Sequence, residues 1–149
     1  MGENTQAVRA AREYLNRVRR RRCELANKQE RIEALRDLAT GTAGSILGLR
    51  RSDSPDVQQM ETIMCKVVDL EREIADDRKE LEQAQRQVAD VLCELDDTRE
   101  QRILFARYLE CRSWPEIAAG SGYAHCSLFR YHAAGLRNVE KILGSKGRT

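Results

Sequence analysis

The sequence predicts an all-α fold: a long antiparallel helical hairpin of coiled-coil type, followed by a small helical C-terminal module. Three observations point to it. An apolar residue recurs every seven positions from Met60 to Leu95, a glycine- and serine-rich stretch separates two long helical patterns, and six of the seven aromatic residues lie after residue 100. Charged residues make up 34% of the 149, against a background near 25%, and aromatics only 5%. That composition excludes a single large globular core of the kind an enzyme of this length needs.

The first arm spans about residues 4–39, where Ala11, Val18, Leu25, Ile32 and Ala39 are spaced by seven. Its companion row is weaker, with Tyr14, Leu15 and Leu35 flanking Arg21, Arg22, Lys28 and Gln29. Residues 40–54 hold Gly41, Gly44 and Gly48 and read as a loop with an apolar clasp at Ile46, Leu47 and Leu49. The second arm, 55–96, starts with Ser54 as N-cap, Pro55 in the first position and Asp56 next to the positive helix end. Its rows are Met60, Val67, Ile74, Leu81, Val88, Leu95 and Ile63, Leu70, Asp77, Ala84, Val91, a heptad seam interrupted only by Asp77.

Charge is arranged in three blocks, net +6 over 1–52, −9 over 53–97 and +5 over 98–149, which together give the formal +2. A basic arm folded along an acidic one is therefore expected. Matching the apolar rows sets Leu35 opposite Met60, Ile32 opposite Ile63, Leu25 opposite Leu70 and Val18 opposite Asp77. In that register Asp77 is a register pin paired to Arg17, Arg21 or Arg22. The run Arg17, Arg19, Arg20, Arg21, Arg22 has two readings, a phosphate-binding patch or a helix face that neutralises its acidic partner.

The module, 97–144, opens with Asp97 and Glu100 as capping residues of a helix carrying Ile103, Leu104, Arg107, Tyr108 and Leu109. Ser113-Trp114-Pro115-Glu116 is a capping box with proline in the first turn, ahead of Ile117 and Ala118. Gly120-Ser121-Gly122 ends that short helix. A longer one follows over about 124–143, with Leu128, Tyr131, His132, Gly135, Leu136 and Val139 as its inward stripe. A short helix, a glycine turn and a longer amphipathic helix make a helix-turn-helix. Residues 145–149 read as a flexible tail.

In a helix-turn-helix the first turns of the second helix reach base edges. That assigns His125, Cys126, Ser127, Phe129 and Arg130 to the DNA face, with Arg137 further along and Arg112 and Ser113 placed for phosphate. A zinc site built from Cys111, His125, Cys126 and His132 matches no common ligand spacing, so no metal is expected. No phosphate-binding loop, HExxH or paired acid and base is present, so neither a cofactor nor an enzymatic activity is expected. Five cysteines without a CxxC pair, no signal-like N-terminus and no long apolar run lead to the expectation of a cytoplasmic protein with no membrane contact.

Arg107-Tyr108-Leu109, Ser113 through Ala118, Gly122-Tyr123 and Leu128 through His132 with Gly135-Leu136 together resemble region 4 of bacterial sigma factors, most closely in the RinA and ArpU type regulators of phage and prophage late genes. The resemblance implies a sequence-specific DNA-binding transcription regulator acting with bacterial RNA polymerase, as a homo-oligomer, with a dimer favoured. Three positions depart from that pattern. Ala124 stands where a capping Ser is usual, Cys111 replaces a turn glycine, and Ala133 and Ala134 replace basic residues. Two other classes stay open, a small-terminase-like DNA-packaging protein and a helical adaptor that binds only protein.

Overall fold

A computed structural model describes residues 2–40 and 54–147. All the elements it describes are helical: α1 (Gly2–Ala39), α2 (Ser54–Cys93), α3 (Thr98–Leu104), a π-helical turn (Phe105–Leu109), α4 (Trp114–Ser121) and α5 (His125–Gly147). The two long arms are present and pack on each other. The apolar clasp at Ile46, Leu47 and Leu49 lies outside the described residues, as do the capping side chains assigned to Ser54, Pro55 and Asp56. The expected tail starts late, because α5 continues through residues 145–147; Lys146 there favours the negative helix end and pairs with Glu94 at 3.3 Å.

Two compact units divide the chain within the long helices, Arg21–Glu80 on one hand and Met1–Arg20 with Leu81–Thr149 on the other, rather than at residues 96 and 97. In the first, Ile32, Val67, Leu70 and Ile74 are buried, with Leu25, Leu35 and Ile63 half-buried around them. These are members of the heptad rows. Met60, the first residue of its row, stays 48% exposed.

The register differs from the one that apolar matching selects. Lys28 donates to Asp77 at 2.6 Å and pairs with Glu73 at 3.3 Å, Arg36 pairs with Glu71 at 2.5 Å, and Arg21 pairs with Glu80. Asp77 is thus half-buried in the seam as expected, but its partner is Lys28 and not Arg17, Arg21 or Arg22. The pairing is offset by about one heptad, a slip that carries one apolar row onto the next and leaves hydrophobic matching unchanged. Ion pairs mark the observed register, and the Asp77 hydrogen bond, with Glu73 beside it, holds the Lys28 ammonium above its usual range.

The second unit has a continuous core. Ala11, Leu15 and Val18 of α1 and Ala84, Val88, Val91 and Leu92 of α2 are buried together with Leu95 and with Leu104, Tyr108, Leu109, Leu136 and Val139 of the C-terminal helices. The last heptads of the hairpin therefore seat the module directly. Leu15 is fully buried and Leu38 is 56% exposed. Leu15→Ala should cost about 2–5 kcal/mol in chemical denaturation, from lost transfer energy and the cavity left behind. Leu38→Ala should stay within about 0.5 kcal/mol, and equal losses at both positions would contradict this core.

Candidate functional site

Helices α3 and α4 of the C-terminal module start or stop on residues suited to that geometry. Asp97 caps α3 by accepting from the Arg99 amide at 2.8 Å, and its carboxyl is held below the usual range by hydrogen bonds from the Arg99 side chain and backbone. The Glu100 carboxylate turns inward, 7% exposed, and accepts from Asn138 Nδ2 at 2.8 Å, which ties α3 to α5. The capping box of α4 forms as predicted: the Ser113 amide donates to Glu116 Oε2 at 2.9 Å, and the Glu116 amide to Ser113 Oγ at 3.4 Å. Gly122 closes α4 at φ +75°, a left-handed conformation that glycine adopts without steric cost. Ala124 supplies only its carbonyl at the start of α5, accepting from the Leu128 amide at 3.0 Å.

Between α3 and α4 the helix widens. The Glu110 amide reaches back to the Phe105 carbonyl at 3.0 Å and the Arg112 amide to the Ala106 carbonyl at 3.0 Å. Such wide turns absorb an extra residue inside a helix. Cys111 follows at φ +58°, so a thiol-bearing residue occupies the left-handed position where the resembled pattern carries glycine, at a steric cost of about 1–2 kcal/mol. Ile103, Ile117 and Leu128 join α3, α4 and α5 in a small core flanked by Ala106, Trp114, Ala118 and Tyr131. Close approach of α3 and α5 depends on Gly135, where a Cβ would stand 2.8 Å from Leu104 Cδ1.

The residues assigned to the DNA face fall into three groups. His125, Cys126, Phe129, Arg130 and Arg137 are exposed on α5, while Ser127 is half-buried. Phe129 is 49% exposed and rests against Trp114, with ring centroids 5.0 Å apart, while His125 stacks on it at 6.4 Å. Ser113 spends its hydroxyl oxygen on the cap. Arg112 pairs with Glu110 at 2.7 Å, beside an open groove of about 530 Å³ that Arg102, Phe105, Ile117 and Tyr123 also line.

Aromatic–cation contacts knit this surface together, and sequence spacing did not reveal them. Tyr131 lies beneath two guanidiniums, Arg99 at 4.8 Å and Arg130 at 5.5 Å from its ring, and its hydroxyl accepts from Arg99 Nη1 at 3.0 Å. Arg107 sits 4.9 Å over the Trp114 ring and donates to the Arg112 carbonyl at 3.1 Å. These contacts hold Arg107 and Arg130 in place while leaving their charge available.

Beneath the surface, Tyr108 Oη and His132 Nε2 share a hydrogen bond at 2.8 Å, both side chains buried, with Trp114 meeting the imidazole edge-on. Burial, then the fields of Arg12 and Arg107, lower the His132 pKa to about 4; burial raises that of Tyr108. Among the described residues no three of His, Cys, Asp and Glu are grouped to hold a metal ion, and no helix is long and apolar enough to cross a membrane. In comparison with known proteins, no family model matches the chain, nor does any curated protein or solved structure.

A pH dependence follows from His132. The unfolded imidazole, with its ordinary pKa of 6.5, binds a proton that the folded one refuses until about pH 4. Its stabilising contribution is therefore complete above pH 6.5 and is lost as pH falls from 6.5 toward 4, on the order of 2–3 kcal/mol in total. Thermal melts between those pH values should show this loss in the native chain and not in His132→Leu. A variant with the same pH slope would remove His132 as its source. The Asp97 cap acts in a separate window, below its ordinary pKa of 3.8.

Proposed function

We propose that the chain is a non-enzymatic, sequence-specific DNA-binding transcription regulator of the phage and prophage late-gene type, acting with bacterial RNA polymerase in the cytoplasm. The observation that carries this reading is the order of α4 and α5. A short capped helix, a left-handed glycine and a longer helix stand on one small core, and the first turns of the longer helix expose His125, Cys126, Phe129 and Arg130. Read as a helix-turn-helix, the module lays α5 in the major groove, with Arg130 able to donate two hydrogen bonds to guanine and the Phe129 ring able to meet a thymine methyl. The small core and the Gly135 contact keep that face rigid, as base readout requires.

Self-association is part of the proposal. Val57, Met60, Met64 and Val68 are 61%, 48%, 48% and 43% exposed and share one face of α2, displaced around the helix from the buried seam. A dimer through such a face doubles the DNA contacts of a recognition helix whose residues 125–139 carry only Arg130 and Arg137 as charges. Because exposed apolar surface also suits a larger assembly, the DNA-packaging reading is kept beside regulation, and light scattering separates them: a ring of many subunits favours packaging, a dimer favours regulation.

Arg130 tests the recognition face itself. Arg130→Ala should weaken binding to a selected duplex by about 1–3 kcal/mol and leave helicity and melting temperature unchanged. Sites are found by selection from a random duplex library and affinities read by fluorescence anisotropy. Equal affinity in the variant would mean that this face is not the one in the groove.

A further inference from the structure

Four arginines of α1, Arg12, Arg17, Arg19 and Arg21, flank its buried line on two sides. Ala11, Leu15 and Val18 are fully buried and mark its core line. At about 100° per residue, Tyr14, Arg17 and Arg21 fall on one side of that line and Arg12 and Arg19 on the other. The first side is spoken for: Arg17 covers the Tyr14 ring at 4.4 Å and donates to Gln87 at 3.1 Å, and Arg21 pairs with Glu80. Arg12 and Arg19 are exposed, and among the described residues no carboxylate pairs with either of them or with Arg107.

We propose that Arg12 and Arg19 of α1, together with Arg107 of the π-helical turn, form a basic strip that takes the phosphodiester backbone of duplex DNA beside the exposed first turns of α5. This rests on the DNA-binding reading and extends it to a helix outside the helix-turn-helix. Ala11, Leu15 and Val18 share one core with Tyr108, and the positive fields of Arg12, Arg19 and Arg107 all act on that buried side chain, so guanidiniums far apart in sequence lie near it. Three like charges held near one another without a carboxylate repel, and an anionic partner relieves that repulsion. Trp114 joins the strip to the recognition face, because its ring meets Arg107 at 4.9 Å and Phe129 at 5.0 Å. A duplex read by α5 therefore passes close to the strip, and phosphate contacts there fix its position without reading its sequence.

The test is the salt dependence of binding by the full chain. Fluorescence anisotropy with two duplexes of unrelated sequence, between about 50 and 200 mM salt, gives the slope of log affinity against log salt, about 0.9 per phosphate neutralised. The triple variant Arg12→Gln, Arg19→Gln, Arg107→Gln should flatten the slope by about 2–3 and weaken both duplexes alike. Arg19→Gln alone makes no packing change and should flatten it by about 1 with an unchanged melting temperature, which guards against a folding artefact. Arg17→Gln, on the occupied side of the helix, should leave the slope as it is. An unchanged slope in the triple and Arg19 variants overturns the strip while leaving the DNA-binding reading standing. No salt-dependent affinity of the native chain for either duplex overturns both.

Discussion

The module at the C-terminus depends on the last heptads of the hairpin. Ala11, Leu15 and Val18 on α1 and Ala84, Val88, Val91 and Leu92 on α2 are buried against one another and, in the same core, against Leu104, Tyr108, Leu136 and Val139. Outside that shared core, α3, α4 and α5 bury Ile103, Ile117 and Leu128 in a small cluster of their own. The coiled-coil seam is thus also the floor of the module. Its apolar burial is the dominant favourable term there, and the caps and ion pairs select one geometry on top of it.

Two buried polar contacts refine that floor. Glu100 with Asn138 and Tyr108 with His132 each link the segment after α2 to α5, and each gives a buried polar group the partner it needs. A polar pair inside an apolar interface accepts one alignment and penalises its neighbours, because sliding α5 by a turn would orphan both pairs at once. Together with the Gly135 approach to Leu104, they fix the angle at which the exposed turns of α5 leave the core. The α5 face is therefore held from below, while the Tyr131 ring meets its Arg130 and the Trp114 ring meets Arg107 of the neighbouring π-helical turn.

Much of this was legible in the sequence, and the misses share a cause. Heptads at Val67, Ile74 and Val88, the capping box at Ser113 and Glu116, and the stop at Gly122 are local signals, set within one or two helical turns, and they appear where the spacing puts them. The hairpin register is a long-range property. Apolar rows that repeat every seven residues match equally well after a slip of seven, so their spacing alone does not select the pairing of Lys28 with Asp77. Contacts such as Arg107 over Trp114, or Arg99 over Tyr131, join residues whose separation follows no period. The inward and outward faces of α5 were readable from its 3.6-residue stripe, apart from Ser127, half-buried at the edge of the exposed face.

The π-helical turn at Phe105–Leu109 gives one short segment two addresses. Ile103 and Ala106 belong to the small core with Ile117 and Leu128, while Leu104, Tyr108 and Leu109 belong to the core shared with the hairpin. A regular helix advances about 100° per residue, so the spare residue in this wide turn works as a phase adjuster between two packing surfaces. Chain length here is consequently a more sensitive variable than side-chain identity. Removing one residue between positions 105 and 109 would close the wide turn, and the segment would lose the phase adjustment that lets Ala106 face one core while Tyr108 and Leu109 face the other. Substitutions in the segment trade volume within a fixed frame, whereas an insertion or deletion would turn the frame itself.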